Sequence, residues 1–370
     1  MTLNKIAAFT LCFLLFLTVP KVLASPLELD IEAVWERFIG PEHYFTMVDN
    51  EGNILMQTGH WIYLDDQYLT ADNKLFEVVS VDEEHYMARA ELIEEVELEH
   101  WSFNDLKKEL GISVIEAQEE QERGTIGVYH THNAESYVPT DGTDSVNGKG
   151  GIHQVGAAFV KALESLGVNV EYSEKLHLPH DRGAYRRSRN TVLEILSKNP
   201  DAIFDVHRDA APPGEYALQL GNEWITSIQF VVGRQNQNLG INRKFAQSIK
   251  KIGDQMYPGL IKGIFYGRGN YNQDLTPLSL LLEAGAHTNS RDAAERGIGL
   301  FSEVVDLYFY GPQAEAKGYG SSLPQASGAA RRSITGLILF VFSGVVIFYV
   351  INAGGFRAAW ERFKGLLRLK

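Results

Sequence analysis

Residues suited to metal-assisted hydrolysis occur in three separate stretches of the chain. His130, His132 and Glu135 lie within six positions of one another, and His207 and Glu283 follow further along. Two histidines and one carboxylate are the usual protein ligands of a catalytic zinc ion, with the fourth position left to water. A separate glutamate nearby can take the proton of that water and pass it to a leaving amine. These residue types therefore predict a zinc-dependent hydrolase.

Each of these stretches comes directly after an apolar segment with the pattern of a buried strand. The predicted strands are 125–129, 202–206 and 278–282. The carboxyl ends of parallel strands meet at one edge of a sheet, so the ionisable groups that follow them should converge there. Side chains alternate along an extended chain, and we therefore expect His130 and His132 to share one face.

A purely structural explanation of the same residues stays open. His207 has an acidic neighbour on each side, Asp205 and Asp209, and a pair with either would serve stability alone. Glu283 has the comparable alternative of an ion pair with Arg208 or Arg268.

From Gly124 onwards the chain alternates between strand-like and helix-like patterns. Apolar strands that alternate with helices indicate an α/β fold, with a mostly parallel sheet and helices on both faces. The helices are predicted at 152–166, 185–198, 238–256 and 291–308, and further strands at 168–172, 228–232 and 263–266.

Residues 25–92 follow a different pattern, in which apolar and polar residues alternate with period two. This pattern predicts a small all-β domain that includes a hairpin turning at 49–53. An acidic linker, 93–123, would join it to a catalytic domain at 124–310. The histidines of this region show no metal-ligand spacing, so we interpret them as surface or core residues: His43, His60, His85 and His100.

The two ends of the chain predict export and membrane attachment. Residues 1–24 have the positive start, apolar core and small residues of a signal peptide. A flexible stalk at 311–332 precedes an uncharged apolar stretch, 333–353, which is long enough for a transmembrane helix. The basic amphipathic tail, 354–370, favours the cytoplasmic side. We therefore expect a single-pass protein of the cell membrane with its catalytic domain outside the cytoplasm.

The charge of the chain argues against nucleic-acid binding. The 34 Lys and Arg residues are outnumbered by 47 Asp and Glu residues, for a formal net charge of −13. A nucleic-acid binder needs a basic face to neutralise phosphates. The single cysteine, Cys12, lies in the predicted signal peptide. A metal site in the mature chain would therefore consist of His, Asp and Glu.

Several motifs of residues 124–307 occur in an order and spacing that resemble the stage II sporulation protein P family of endospore-forming bacteria. The motifs are HTHNAESYVP, GGIHQVG, AYRRSRNTV, DAIFDVHRDA, SIQFVVG and YPGLIKGIFYGRGNYNQDLTPLSLLLEAG. The resemblance implies a fold related to zinc-dependent N-acetylmuramoyl-L-alanine amidases. It also implies a peptidoglycan hydrolase of sporulation and engulfment that cuts the bond between muramic acid and the stem peptide, and also peptide cross-links. Its partners would be a lytic transglycosylase and a membrane anchor protein.

The resemblance also assigns roles to individual residues. It implies His132 and His207 as Zn²⁺ ligands and Glu283 as the catalytic glutamate. The amidases take another ligand from a glutamate at the start of the first helix, but the corresponding residues here, 147–153, contain no acid. We favour Glu135 for that role. His130 would support the site or substitute as a ligand, and His153 is a more remote alternative.

Further polar residues are candidates for holding the carboxylates or sugar oxygens of the substrate, since a guanidinium group binds carboxylate in a planar fork. They are Arg208, Asn272 and Arg187. Two other functions stay open: a non-catalytic wall-binding protein that keeps the fold, and a metal-dependent hydrolase of another wall bond, such as a deacetylase.

Overall fold

The computed structural model describes residues 39, 43–112, 123–181 and 183–311, and these belong to one compact unit that ends at Pro312. Its strands are, in chain order, β1 Phe45–Val48, β2 Ile54–Thr58, β3 Gln67–Thr70, β4 Lys74–Asp82, β5 Met87–Glu95, β6 Thr125–Tyr129, β7 Asn169–Tyr172, β8 Ala202–Asp209, β9 Ala217–Leu220, β10 Glu223–Thr226, β11 Ile228–Gly233, β12 Ile261–Gly267 and β13 Ser279–Ala286.

The helices of the described residues are α1 Phe103–Glu109, α2 Val138–Asp141, α3 Ile152–Ser165, α4 Ala184–Leu196, α5 Pro213–Tyr216, α6 Leu239–Met256 and α7 Arg291–Tyr310. The longer helices carry buried residues at the three- and four-residue spacing of an amphipathic helix. In α3, for example, Ile152, Val155, Phe159 and Leu163 are fully buried. The predicted bounds of the four long helices agree with the structure to within two residues.

Eleven of the described strands form one sheet in the order β2-β1-β5-β4-β3-β12-β11-β13-β8-β6-β7, and β9 and β10 form a separate hairpin. In the eleven-stranded sheet, β6, β7, β8 and β13 are parallel to one another. Strand β11 runs antiparallel to β13, and β12 runs parallel to β11. The carboxyl ends of β6, β8 and β13 therefore lie at the same edge of the sheet.

The two faces of the central strands pack against different partners. Alternate residues such as Phe204, Phe230 and Leu282 join the main core with helices α3, α6 and α7. The intervening residues face the other way, where Val231, Phe265 and Leu281 pack against apolar residues of β1, β2, β4 and β5. Further along that second face, Ile203 packs against Val192 and Ile195 of α4. The second face is thus covered partly by helix α4 and partly by the segment of strands β1 to β5.

The predicted fold class, a mostly parallel sheet preceded by a small all-β domain, is wrong. Of the ten pairings in the large sheet of the described residues, five are parallel and five antiparallel. Strand β3 pairs with β12, so the β-rich segment belongs to the same sheet as the later strands. The physical reason is the connections: short turns and a loop without a helix, such as 268–278, return the chain at the same edge and impose antiparallel pairing.

The predicted single transmembrane helix and the single-pass membrane localisation also need correction. Within the described ranges, no helix is long and apolar enough to cross a membrane. The long helices α6 and α7 both carry several charged residues. The segment 333–353 lies outside the described residues, as do the predicted signal peptide, the tail and all of the stalk except Gly311. The domain boundaries stay predictions.

Candidate active site

Strands β8 and β13 place His207 and Glu283 next to each other. Their Cα atoms are register partners in the parallel pairing of the two strands. Side chains alternate between the faces of a strand, so both residues lie on the second face with Ile203 and Leu281. Both are buried, with exposed fractions of 1% for His207 and 3% for Glu283. The structure thus brings His207 and Glu283 together at one edge of the sheet, as the sequence predicts.

The segment between β6 and α3 brings His132 and Glu135 to the same place. Backbone hydrogen bonds hold this turn: Val146 N–H donates to Ala134 O at 2.8 Å, and Ile152 N–H donates to Glu135 O at 3.0 Å. Glu135 also forms an isolated β-bridge with Ser145. The two candidate ligands therefore lie on a hydrogen-bonded segment that is tied back to the start of α3.

Three imidazole nitrogens surround one oxygen of Glu135. Glu135 Oε1 lies 3.3 Å from His132 Nδ1, 3.5 Å from His207 Nδ1 and 3.9 Å from His180 Nε2. These separations exceed the 2.7–3.2 Å of ordinary N–H···O hydrogen bonds. In a tetrahedral zinc site with ligands at about 2.0–2.1 Å, neighbouring ligand atoms are about 3.3 Å apart. The cluster therefore fits a bound metal ion better than it fits direct hydrogen bonds.

His180 is the member of this cluster that the sequence analysis missed. The ligand atoms of His132, Glu135 and His180 all lie within 4.8 Å of one another. The loop that carries His180 is held by Arg187, whose Nε donates to His177 O at 2.7 Å and whose Nη2 donates to Pro179 O at 2.5 Å. Two histidines close together in the LHLPH segment, His177 and His180, are a signal of a possible ligand. Unlike the other candidate ligands, they do not follow a long apolar strand.

His207 is oriented by a second carboxylate. Its Nε2 lies 2.9 Å from Asp205 Oδ1, and Asp205 also accepts hydrogen bonds from the backbone N–H (2.8 Å) and hydroxyl (2.6 Å) of Thr131. Burial alone would lower the pKa of His207, but the charges of Asp205 and Glu135 raise this pKa well above its ordinary value. A carboxylate behind a histidine is the usual way in which proteins orient a metal-ligating imidazole.

Glu135 is held as a carboxylate by its surroundings. Its second oxygen, Oε2, accepts a hydrogen bond from the backbone N–H of Arg208 at 3.0 Å. Burial would raise the pKa of Glu135, but His207 and His132 hold this pKa well below its usual range. An ionised, buried carboxylate that faces three imidazoles is the chemistry of a metal ligand set rather than of an acid catalyst.

Glu283 faces the same small cavity, but its chemistry differs. The cavity measures about 30 Å³, enough for one water molecule or ion, and its lining includes His132, Glu135, His207 and Glu283. Glu283 Oε1 lies 2.7 Å from His60 Nε2, whereas Oε2 is buried and has no hydrogen-bond partner among the residues that the structure describes. Burial raises the pKa of Glu283, against the opposing effect of His60. Such a group is suited to taking up and releasing a proton.

The side chains of the other predicted site residues are engaged by groups outside the Glu135 cluster, although Arg208 lines the same cavity and its backbone N–H binds Glu135. His130 Nδ1 is 2.8 Å from Val206 O, and its Nε2 is 3.0 Å from the hydroxyl of Tyr172. His130 and His132 do not share one face, because β6 ends at Tyr129 and the alternation stops there. Arg187, Arg208 and Asn272 each donate to backbone carbonyls: those of His177 and Pro179, of Ser136 and Asp144, and of Tyr185.

Comparison with known proteins gives a family match that covers most of the described chain. A sequence model of the stage II sporulation protein P family matches residues 62–306. The match begins inside the β-rich segment, and so extends well before residues 124–307, where the resembling motifs lie. Stage II sporulation protein P of Bacillus subtilis (strain 168) is 31% identical over 209 residues, which are 51% of this chain and 52% of that protein. The chain thus spans about half the length of this curated relative.

The similar solved structures include amidases, with low TM-scores. The N-acetylmuramyl-L-alanine amidase Ami1 from Mycobacterium smegmatis is 17% identical, with 50% of this chain and 94% of that chain covered and a TM-score of 0.32. The CwlD amidase from Clostridioides difficile, solved in complex with the GerS lipoprotein, is 16% identical, with 50% and 98% covered and a TM-score of 0.32. At these scores the likeness carries no argument, and the assignment rests on the family match: this chain belongs to the stage II sporulation protein P family.

Proposed function

We propose that this protein is a zinc-dependent N-acetylmuramoyl-L-alanine amidase that hydrolyses peptidoglycan during sporulation. The observation that carries the proposal is the buried cluster of three imidazoles around Glu135 Oε1, with Glu283 in the same cavity. Family membership supports a role in the cell wall of sporulating bacteria. The partner proteins expected from the resemblance, and cleavage of peptide cross-links, stay predictions.

His132, Glu135 and His207 are the proposed zinc ligands, and His180 is an additional candidate because its Nε2 lies 3.9 Å from Glu135 Oε1 in the same cluster. Zinc bound there would supply a Lewis acid that polarises the scissile carbonyl and increases the acidity of water. Asp205 orients His207, and the backbone N–H of Arg208 orients Glu135. These contacts let the protein present its ligands without reorganisation.

Glu283 is the proposed general base. Its Oε2 takes one proton from the attacking water as the water oxygen bonds to the carbonyl carbon of the lactyl group. The carbon–nitrogen bond then breaks, and the same carboxyl group returns the proton to the departing nitrogen of L-alanine. The products are a free α-amino group and a lactyl carboxylic acid, which releases the second proton of the water to solvent and becomes a carboxylate. A raised pKa suits a carboxylate to this double role.

The test is incubation of the purified full-length, zinc-loaded protein with purified peptidoglycan. We expect new N-terminal alanine on released stem peptides, and at least about a hundredfold less of it from Glu283→Gln, since general base catalysis contributes that much. Glu164→Gln is the matched control, because Glu164 is an exposed glutamate on α3. Binding to the wall without new N-terminal alanine would contradict the proposed amidase activity. New amino groups on glucosamine would instead indicate a deacetylase.

A further inference from the structure

The side chain of Glu283 contacts a histidine of the β-rich segment, far from it in the chain. The Nε2 atom of His60 lies 2.7 Å from Glu283 Oε1, and the two residues are 223 positions apart. The side chains are only 6% and 3% exposed. His60 also lies just before residues 62–306, which the family match covers. We propose that His60 is a positioning residue for Glu283, so that the segment of strands β1 to β5 completes the active site.

The loop that carries His60 is bound to the strand that carries His207. Asp209, two residues after His207 on β8, accepts hydrogen bonds at Oδ1 from Thr58 Oγ1 (3.0 Å) and from Gly59 N–H (2.8 Å). His60 N–H in turn donates to Thr58 Oγ1 at 3.1 Å. The position of His60 is therefore set from the same strand as the proposed zinc ligand.

Packing leaves this loop little freedom to move. A Cβ atom on Gly59 would lie 2.7 Å from the Cβ of Ala210, so only glycine allows the loop to approach β8 this closely. The imidazole of His60 is packed near Phe265 and Tyr271, with ring centroids 5.9 and 6.2 Å away. A side chain held by both packing and backbone hydrogen bonds is suited to fix the geometry of the group that it contacts.

The contact with His60 gives the two carboxylate oxygens of Glu283 different surroundings. Oε1 is engaged by His60, and Oε2, without a hydrogen-bond partner in the described part of the chain, is left for the water that Glu283 activates. Without His60 the carboxylate could rotate, and its two oxygens would no longer be distinct. Zinc binding should survive the loss of His60, because the imidazole nitrogens grouped around Glu135 Oε1 belong to His132, His180 and His207.

This inference rests on the proposed function, and the test separates the two. The full-length zinc-loaded protein and its His60→Ala and His60→Gln variants are assayed on a soluble peptidoglycan fragment. For His60→Ala we expect kcat to fall about tenfold or more, with KM within about twofold and zinc content unchanged. His60→Gln keeps an N–H donor near the Nε2 position and should recover most of kcat. His85→Ala is the matched control, because His85 is an exposed histidine of the same segment.

A second readout does not depend on activity. In zinc-free protein, the changes in urea midpoint caused by His60→Ala and Glu283→Gln should not be additive in the double variant, because each removes the same contact. If the wild-type protein is active and His60→Ala has the same kcat, the inference is overturned and the proposed function stays intact. Additive midpoints would overturn it as well. An inactive wild-type protein would overturn the proposed function, whereas non-additive midpoints would still support the pairing of His60 with Glu283.

Discussion

At the scale of single residues, the site is organised around one carboxylate oxygen. Glu135 Oε1 is approached by nitrogens of His132, His180 and His207, and Glu135 Oε2 by a backbone N–H. Burying an ionised carboxylate costs free energy unless opposite charge or hydrogen bonds compensate it. In the protein alone, the raised pKa of His207 favours its positively charged form, which supplies part of that compensation. A zinc ion would supply it fully, which is why we expect the cluster to select a cation.

His180 tests how many histidines this cation binding requires. We expect His180→Ala to lower zinc affinity about tenfold or more, because His180 contributes one of the three closely grouped ligand atoms. Competition against a chromogenic chelator measures the affinity directly. The control is His100→Ala, which changes an exposed histidine. Wild-type affinity in His180→Ala would restrict the ligands to His132, Glu135 and His207.

At the scale of secondary-structure elements, α3 is the helix that joins the site to the core. It begins at Ile152, whose N–H donates to Glu135 O, and its apolar side packs in the main core. Where α3 passes β6, the smallest residue, Gly156, faces the ring of His130. Close packing at this point fixes the distance between the helix and the strand, and therefore the start of the turn that presents the ligands.

Gly156 tests this close packing. A Cβ atom there would lie 2.4 Å from two ring atoms of His130, so Gly156→Ala should lower the free energy of unfolding by about 1–3 kcal/mol. This is opposite in sign to helix propensity, which favours alanine over glycine by about 1 kcal/mol. Gly240→Ala is the matched control, because a Cβ atom at this α6 position meets open space and should not destabilise. Urea unfolding measures both, and a stabilised Gly156→Ala protein would contradict the packing argument.

At the scale of the whole described unit, the β-rich segment and the later strands share one sheet and one site. Strand β3 pairs with β12, and Leu69 is the register partner of Ile264. Leu69 is fully buried in the main core rather than in a core of its own segment. The same segment covers part of the second face of the sheet, next to the site. Folding of this segment and formation of the site should therefore be one cooperative event.

Two leucines of this segment test the cooperativity. Leu69→Ala should lower the free energy of unfolding by about 2–5 kcal/mol, in a single transition followed by both circular dichroism and tryptophan fluorescence. Leu92→Ala should change it by less than about 0.5 kcal/mol, because Leu92 is 51% exposed. Two separate transitions, with only one shifted by Leu69→Ala, would show that the segment folds as an independent domain.

The amino-acid sequence by itself determined most of the local structure and part of the site. The apolar runs before His130, His207 and Glu283 are strands, and α3 begins at Ile152 and α7 at Arg291 as the patterns predict. Local patterns suffice here because periods of two and of 3.6 residues depend on neighbours in the chain alone. The juxtaposition of His207 and Glu283 also followed, because strands that run parallel bring their ends to the same edge.

Only the tertiary structure decided which distant residues complete the site. The antiparallel direction of β11 and β12, the pairing of β3 with β12, and the positions of His60 and His180 depend on contacts between segments far apart in the chain. No periodicity encodes such contacts, since they arise from closing loops and packing faces together. For the same reason, His60 looked like an ordinary histidine of a β-strand region, although folding places it against Glu283.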